Sequence, residues 1–325
     1  MQWHTTQMSK RISALLMLGL LLCLAACQPD PAPKLRIGTN LWPGYEPLYV
    51  ARDQQAFQTM DIQLIEYRAA GQVLNGLRKG TINMAAVTLD EAVRIAASGL
   101  SIEVIWLFNI SDGADQLIAR PGITQISELK GKRIGIESNA LGAYLWQRFL
   151  TLNQLNPVDY ETVGLDLAAH AQSLTNGEVD AVMTFEPEKS KLLRIGAHPL
   201  FTSKEVPGEV LDVLIVRKSG DDAPSTAQIG QFIRQYHQHF QQMQQNWAGW
   251  LPQLNNRLKL SDAELRQTYS ELQIPSAAMQ IQLLSDRPKM QQIMQAYQTV
   301  LLEIGMISQP CDCTNLINTR YLEAL

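Results

Sequence analysis

The sequence predicts an α/β protein with two lobes and a ligand cleft between them, and three observations support this. Strand and helix patterns alternate from residue 34 to about residue 216, which favours a largely parallel sheet covered by helices on both faces. The alternation divides into two units of the same kind, and one stretch of the first unit recurs in the second. The length of 325 residues also suits about two domains.

The first unit alternates strands and helices in the order expected for a parallel sheet. Apolar and alternating stretches predict four strands, at 35–38, 61–67, 82–87 and 102–108. Helical spacing predicts helices at 48–55 and around 73–77, and Gly80 ends the second of these as a C-cap. A capping box from Thr88 to Glu91 begins a third helix.

The second unit has the same organisation and is followed by a helical C-terminal part. Its predicted strands lie at 116–119, 133–136, 162–163, 179–183 and 211–216. Ser138 or Asn139 can cap a helix to about residue 152, and another helix ends at Gly177. From Pro224 onward the chain is helical and rich in glutamine, which we interpret as a solvated helix face.

The recurring stretch joins a glycine cap, a strand and a polar loop that ends in an acid. Gly80-Thr81-Ile82-Asn83 leads through an apolar strand to Thr88-Leu89-Asp90, and Gly177-Glu178-Val179-Asp180 leads through another to Thr184-Phe185-Glu186. Ligands of open α/β sheets bind beyond the carboxyl ends of the strands. Two such loops, one in each lobe, would therefore face each other across a cleft that closes on its ligand.

The first 26 residues have the pattern of an export signal. Lys10 and Arg11 precede a short apolar run at 15–24, which is too short for a permanent membrane span. The sequence Leu24-Ala25-Ala26-Cys27 resembles a bacterial lipobox, in which Cys27 is lipidated. The alternative is an ordinary signal peptide with an incidental Cys27. We expect a lipoprotein signal peptide at 1–26 and a proline-containing tether at 27–33.

Charge and composition limit the partners. Removal of residues 1–26 would take away two basic residues and no acidic ones, which changes the net charge from −4 to −6. A mildly acidic chain without a basic block argues against nucleic acid as a partner. We expect a monomer that contacts the membrane through its lipid alone and needs no metal or cofactor.

Two cysteines remain near the C-terminus, Cys311 and Cys313. They could pair in an oxidising compartment, although a Cys-x-Cys bridge closes a very small ring. A metal or redox role would need further ligands, and no histidine lies nearby in the sequence. We favour a disulfide that acts as a local staple of the tail.

Several segments resemble one family of transport proteins. The segment at 37–48, Ile-Gly-Thr-Asn-Leu-Trp-Pro-Gly-Tyr-Glu-Pro-Leu, resembles the opening of substrate-binding proteins of the nitrate, sulfonate and taurine class of ABC importers. Segments similar to that family follow in the same order, at 129–135, 177–187, 207–214 and 320–322. The resemblance implies a periplasmic-binding-protein-like fold of type II.

The same resemblance implies how the chain divides. Lobe 1 would contain residues 34–117 plus 214–325, and lobe 2 would contain residues 118–213. The strands near the two crossings would be those at 116–119 and 212–216.

Ligand groups are then expected on loops at strand ends. Trp42 and Tyr45 follow the first strand, where an aromatic ring can pack against a methylene chain or face a cation, worth about 0.5–2 kcal/mol. The alternative for both rings is packing within the lobe. Glu46 adjoins them and would need a partner if buried.

Polar residues at other strand ends complete the predicted site. Thr88 could donate to a ligand or serve as a helix cap, and Asp90 lies in a first helical turn, where the helix dipole favours an acid anyway. Glu186 ends the recurring stretch of lobe 2, with an interlobe salt bridge as its alternative. Asp112 and Asp115 flank Gly113 at the first crossing and Asp212 begins the second, with hinge hydrogen bonds as the alternative for all three.

The balance of charge around these loops indicates the chemistry of the ligand. Ser138 and Asn139 precede a helix and could bind an anion through backbone N–H groups, but Glu137 stands directly before them. Acidic residues outnumber basic ones near the candidate loops, where Arg68 is the one basic side chain. We therefore predict a cationic or zwitterionic small organic ligand, an amine or a heterocyclic base. Binding of nitrate or a sulfonate is the alternative.

The function predicted from these observations is solute capture outside the cytoplasm and delivery to an ABC permease. A lipoprotein that presents its ligand to a membrane sensor is the alternative. Gln28 follows Cys27 where an aspartate would, by resemblance, favour the inner membrane, so the periplasmic face of the outer membrane is the other candidate location. Pyrimidine-precursor synthases share the fold, but they are cytosolic, and the sequence shows no nucleophile–base pair at recognisable spacing. We expect no enzyme activity.

Overall fold

The computed structural model describes residues 34–137 and 140–325, which form two β-sheets with helices packed around them. The predicted signal peptide, Cys27, the tether, Ser138 and Asn139 lie outside the described residues. Within the described ranges no helix combines the length and the apolar character needed to cross a membrane.

The first sheet has six strands in the order β11-β4-β10-β3-β1-β2. Strands β1, β2 and β3 are parallel, whereas β10 is antiparallel to both β3 and β4. The bounds are β1 Leu35–Thr39, β2 Ile62–Glu66, β3 Met84–Thr88, β4 Ile102–Ser111, β10 Leu211–Arg217 and β11 Leu272–Gln273.

The second sheet has five strands in the order β7-β6-β8-β5-β9. Strands β6, β7 and β8 are parallel, and β5 is antiparallel to β8 and β9. The bounds are β5 Gln116–Ala119, β6 Arg133–Glu137, β7 Glu161–Leu165, β8 Ala181–Thr184 and β9 His198–Thr202.

The described residues contain twelve α-helices. Their bounds are α1 Glu46–Asp53, α2 Ala70–Lys79, α3 Leu89–Ala97, α4 Ala140–Leu152, α5 His170–Thr175, α6 Glu188–Arg194, α7 Thr226–Gln245, α8 Trp247–Leu254, α9 Asp262–Ser270, α10 Ala277–Ser285, α11 Arg287–Glu303 and α12 Arg320–Glu323.

The long helix α7 shows why the glutamine-rich segment folds as it does. Phe232, Tyr236 and Phe240 are four residues apart and buried on one face of the helix. Trp106 of β4 packs edge-on against the rings of Tyr236 and Phe240, at centroid distances of 5.2 and 5.9 Å. The glutamines lie outside this buried stripe, in agreement with the solvated face that the sequence predicts.

The chain passes between the two sheets twice, at 112–115 and at 203–210. Strand β5 therefore lies wholly in the second sheet and β10 wholly in the first, so both changes of sheet come a few residues earlier than the predicted division. We propose that the lobes follow the sheets, with lobe 1 at 34–111 plus 211–325 and lobe 2 at 116–202.

The alternation of strands and helices is present as predicted, but the prediction of a largely parallel arrangement is only partly right. Strands β5 and β10 each enter their sheet directly from a crossing, without the helical connection that a parallel neighbour requires. They therefore run antiparallel to their neighbours. The antiparallel strand β9, which pairs with β5, was not predicted.

The two C-terminal cysteines are joined in a disulfide bond, with their Cα atoms 5.4 Å apart. The tail that follows pairs with β4: the Val104 N–H donates to the Leu316 carbonyl at 2.8 Å, and the Asn318 N–H donates to the Val104 carbonyl at 2.9 Å. The bridge therefore lies just before the point where the tail joins the first sheet.

Candidate functional site

A small cavity of about 20 Å³ lies where the two lobes meet. Most of its wall comes from lobe 1, Leu141 and Phe185 come from lobe 2, and Asp115 comes from the first crossing. The lining residues are Asn40, Trp42, Tyr45, Ala70, Thr88, Glu91, Asp115, Leu141, Phe185 and Asp212. The cavity therefore has room for about one water molecule, and a larger ligand enters only when the lobes move apart.

The loop after β1 forms one wall through a short 3₁₀ turn at Pro43–Tyr45. The Trp42 Nε1–H donates to Asn109 Oδ1 at 3.0 Å across the base of this turn. A Cβ atom on Gly44 would lie 1.7 Å from the same Asn109 oxygen. The turn therefore needs glycine at this position so that Trp42 and Asn109 can approach each other.

Asp212, at the start of β10, is held by two donors of its own lobe. The Tyr45 hydroxyl donates to Asp212 Oδ1 and the Asn109 amide donates to Asp212 Oδ2, both at 2.8 Å. Trp42, Asn109, Asp212 and Tyr45 thus form one chain of hydrogen bonds. Since every member is buried, the chain fixes the wall in a single arrangement.

Burial also changes the ionisation of this wall. The pKa of Asp212 is raised well above its ordinary value, first by burial and then by the nearby charge of Asp115. The hydrogen bonds from Tyr45 and Asn109 offset this only in part. Burial therefore favours the protonated form of Asp212, and a positively charged neighbour would favour its ionised form.

Asp115 is the most isolated acid of the cavity. It is only 1% exposed, and neither of its carboxylate oxygens accepts a well-formed hydrogen bond from the described residues. The Ser111 hydroxyl is a marginal donor to it, because that hydroxyl also forms a 2.7 Å hydrogen bond with the Ser203 hydroxyl. Burial raises its pKa to about 6, while the Ser111 hydroxyl and the charge of Lys189 lower it in part. An ionised carboxylate in this setting is costly unless a partner enters the cavity.

Glu91 lines the cavity from the first turn of α3. Its Oε2 accepts the N–H of Thr88 at 3.2 Å in the predicted capping box, while Oε1 has no hydrogen bond within the described part of the chain. Its pKa is raised well above the ordinary value by burial, then by Asp90 and Glu137. The sequence shows Glu91 as a capping residue, and only the fold shows that it also faces the cavity.

The lining of the cavity is strongly unbalanced in charge. Glu91, Asp115 and Asp212 contribute three carboxyl groups. None of the ten lining residues, all of them within the described ranges, is a lysine, arginine or histidine. Outside the lining, burial raises the pKa of Glu137 in lobe 2 to about 7, with a backbone hydrogen bond from Ala70 of lobe 1 as a partial offset.

Aromatic rings form the apolar part of the wall and join the lobes. Trp42 of lobe 1 and Phe185 of lobe 2 meet edge to face, with ring centroids 5.3 Å apart. Tyr45 packs in the same manner against Phe108 at 5.2 Å. A ligand in the cavity would therefore meet flat apolar surfaces beside the carboxyl groups.

The structure brings five of the predicted site residues to the cavity, namely Trp42, Tyr45, Thr88, Asp115 and Asp212. Glu46 does not reach it. The Glu46 carboxylate is buried in lobe 1 and accepts from Arg257 Nη1 at 2.7 Å. The same guanidinium lies 3.4 Å from the centroid of the Tyr49 ring. Burial still raises the pKa of Glu46 to about 8, with Arg257 lowering it in part.

Glu186, which we expected to contact the ligand, instead belongs to an ion cluster between the lobes. Its carboxylate accepts from the Ser190 hydroxyl at 2.9 Å and from the Thr268 hydroxyl of lobe 1 at 3.1 Å. Lys189 lies 3.1 Å from Glu186 and also pairs with Glu271 of lobe 1. The alternative interpretation, an interlobe contact, therefore describes its surroundings better.

The remaining predicted residues also lie outside the cavity lining. Asp90 is buried one position before Glu91, and burial raises its pKa to about 6. Asp112 is half-buried at the crossing, and its carboxylate accepts from the Gln273 amide at 3.2 Å. This contact is of the hinge type that the sequence offered as the alternative.

The isolation of Asp115 generates a prediction about the ligand-free protein. Because the pKa of Asp115 is about 6 when folded and 3.8 ordinarily, its protonation stabilises the fold fully below pH 3.8, and this contribution is lost as the pH rises through 6. Asp115→Asn should therefore raise the free energy of unfolding at pH 7.5 by on the order of 1–3 kcal/mol relative to the parent, and not at pH 4.

Urea unfolding at both pH values measures this difference. Asp112→Asn, at the same crossing but outside the cavity, should lack the pH-dependent gain. A loss of stability in Asp115→Asn at pH 7.5 would show that the carboxylate has a stabilising partner.

The interlobe ion cluster generates a second prediction. Lys189→Met leaves Glu186 and Glu271 without their buried cation and should lower the free energy of unfolding by about 3–5 kcal/mol. Lys191→Met is the matched control, because Lys191 is half exposed and pairs only with Glu188 in the described structure. It should change the same quantity by less than about 0.5–1 kcal/mol. Equal losses in the two variants, measured by chemical denaturation, would contradict a special role for the cluster.

Comparison with known proteins is consistent with this architecture. The protein-family model described as NMT1/THI5 like matches residues 42–202 of the sequence. No curated protein matches the chain. Several solved structures align with it over most of its length, all at identities that show the fold alone.

Two of these structures are binding proteins and one is an enzyme. The ligand-binding component of an ABC-type import system from Staphylococcus aureus, solved with zinc bound, has a TM-score of 0.73 and 14% identity, covering 90% of this chain and 98% of that chain. The alkanesulfonate-binding protein SsuA from Xanthomonas axonopodis pv. citri, bound to MOPS, has a TM-score of 0.71 and 19% identity. The alignment covers 90% of this chain and 100% of that chain. The desulfurization enzyme DSZB has a TM-score of 0.64 and 13% identity, and the alignment covers 90% of this chain and 98% of that chain.

These alignments confirm the predicted two-lobed α/β fold of type II. The match over residues 42–202 and the structural similarity to sulfonate-binding proteins agree with the predicted resemblance to ABC substrate-binding proteins of the nitrate, sulfonate and taurine class.

Proposed function

We propose that this protein is the extracytoplasmic solute-binding component of an ABC importer and that its ligand is a small cationic or zwitterionic organic molecule, an amine or a heterocyclic base. The observation that carries the proposal is the interlobe cavity with three carboxyl groups and no basic side chain among its described lining residues. The similarity of the fold to ligand-binding components of import systems supports the transport role.

A cationic group would relieve the main electrostatic problem of this cavity. Glu91, Asp115 and Asp212 are all buried, and burial raises the pKa of each. An entering cation favours the ionised carboxylates, whereas an anion adds to their repulsion. Trp42 and Tyr45 offer aromatic surface, which attracts cations as well as apolar groups.

Capture would begin on lobe 1, which supplies most of the wall. Closure then brings Leu141 and Phe185 of lobe 2 over the ligand, so that the closed form binds it more tightly than the open form. The ligand stabilises the closed form by this difference in affinity. The closed form would dock on the permease, and a lipid on Cys27 would keep the protein at the membrane.

Two other functions receive less support. A lipoprotein that presents the ligand to a membrane sensor would use the same cavity, and Gln28 after the lipidated cysteine favours it, because the outer membrane is distant from a permease. An enzyme on this fold could use one of the cavity carboxyl groups as a general base, and it would be recognised by turnover of the bound compound.

The proposed function is tested by thermal unfolding against a ligand panel. The fragment Lys34–Leu325 forms one compact unit and is suitable for this measurement. Amines, heterocyclic bases, amino acids, sulfonates and nitrate would be compared. A specific ligand at 100 times its Kd should add about 2.7 kcal/mol to the free energy of unfolding.

The expected result is a shift with a cationic or zwitterionic compound that is lost in Asp212→Asn and kept in Asp112→Asn. A shift with sulfonates or nitrate alone would contradict the proposal. It would transfer the site to the anion-binding loop at Ser138 and Asn139 that the sequence offers as the alternative.

A further inference from the structure

The acids of the cavity differ in how many of their oxygens remain available to a ligand. Both oxygens of Asp212 accept a hydrogen bond from a donor of lobe 1. By contrast, both oxygens of Asp115 and the Oε1 of Glu91 receive no well-formed one from any residue that the structure describes. Asp115 and Glu91 therefore have open acceptor positions, whereas Asp212 could add negative charge once a bound cation favours its ionised form.

The side chain of Asp115 is the most restrictive of these features. A carboxylate with both oxygens open and only 1% exposed fits a partner with two parallel N–H donors in one plane. Amidinium and guanidinium groups have this geometry and form two-pronged pairs with carboxylates. An ammonium group is a compact point charge, and it is more strongly hydrated than a guanidinium, so its burial costs more.

The shape of the cavity favours the same type of group. Its apolar wall consists of three aromatic rings and two aliphatic side chains, from Trp42, Tyr45, Phe185, Leu141 and Ala70. A planar cation can lie against such rings while its edge points to a carboxylate. Because the cavity measures only about 20 Å³, a molecule of this kind enters it when the lobes move apart, as the proposed capture and closure require.

On the basis of the proposed function, we propose that the ligand carries an amidinium or guanidinium group, that Asp115 binds it with both oxygens, and that Glu91 accepts a further N–H. Asp115 is then the residue that makes the protein bind amidinium and guanidinium compounds more tightly than primary amines. Asp212 supplies the additional negative charge, held in place by Tyr45 and Asn109.

The test is calorimetric titration of the full-length protein at pH 7.5 with three probes of equal non-hydrogen atom count. Methylguanidinium carries the planar charge, N-methylurea has nearly its shape without the charge, and isobutylammonium has the charge without the planar fork. We expect methylguanidinium to bind at least about tenfold more tightly than isobutylammonium, and N-methylurea to show no binding.

Variants identify the residue responsible. Asp115→Asn should abolish the preference for methylguanidinium, whereas Asp112→Asn, at the same crossing but outside the cavity, should keep it. An unchanged preference in Asp115→Asn would overturn the assignment of this residue.

The remaining outcomes separate this inference from the proposed function. Binding of isobutylammonium as tight as that of methylguanidinium would overturn the inference and leave a cation-binding protein. Failure of both cations to bind would overturn the inference, and binding of a sulfonate such as methanesulfonate in their place would overturn the proposed function as well.

Discussion

The burial of several carboxyl groups in one cavity between the lobes is the constraint on which the rest of the structure depends. Glu91, Asp115 and Asp212 are withdrawn from water at the point where the lobes meet. Ionised carboxylates repel one another there, and no cation of the described lining offsets them. The closed arrangement is therefore incomplete without either protons or a positively charged ligand.

The surrounding structure keeps these acids in place without neutralising them. On lobe 1, neutral donors hold Asp212, and the absence of a side chain at Gly44 allows Trp42 and Asn109 to approach each other. The nearby cation Lys189 forms ion pairs with Glu186 and Glu271, where it joins the lobes. Under the proposed function, the ion pairs that attach the lobes and the acids that would bind the ligand are different residues, although the charge of Lys189 also acts on Asp115.

The sequence predicts the fold better than the site, for a physical reason. Hydrophobic periodicity and helix caps are local signals, so the alternating strands, the capping box at Thr88 and the position of Trp42 after β1 were predictable. The partner of a buried charge is not local. Arg257 lies 211 residues from Glu46 and Thr268 lies 82 residues from Glu186, so neither acid could be assigned to structure from the sequence, and Glu91 was recognised only as a cap.

The central claim is that the buried acids of the cavity face a cationic ligand, and its most direct test is the number of protons released on binding. This number is obtained by titrating methylguanidinium into the protein near pH 6 in buffers of different ionisation enthalpy. The pKa of Asp115 is about 6 in the ligand-free cavity, and a bound cation should lower it. Binding should therefore release protons, and Asp115→Asn should reduce the release. Binding that takes up protons, or that exchanges none, would show that these acids do not face the ligand.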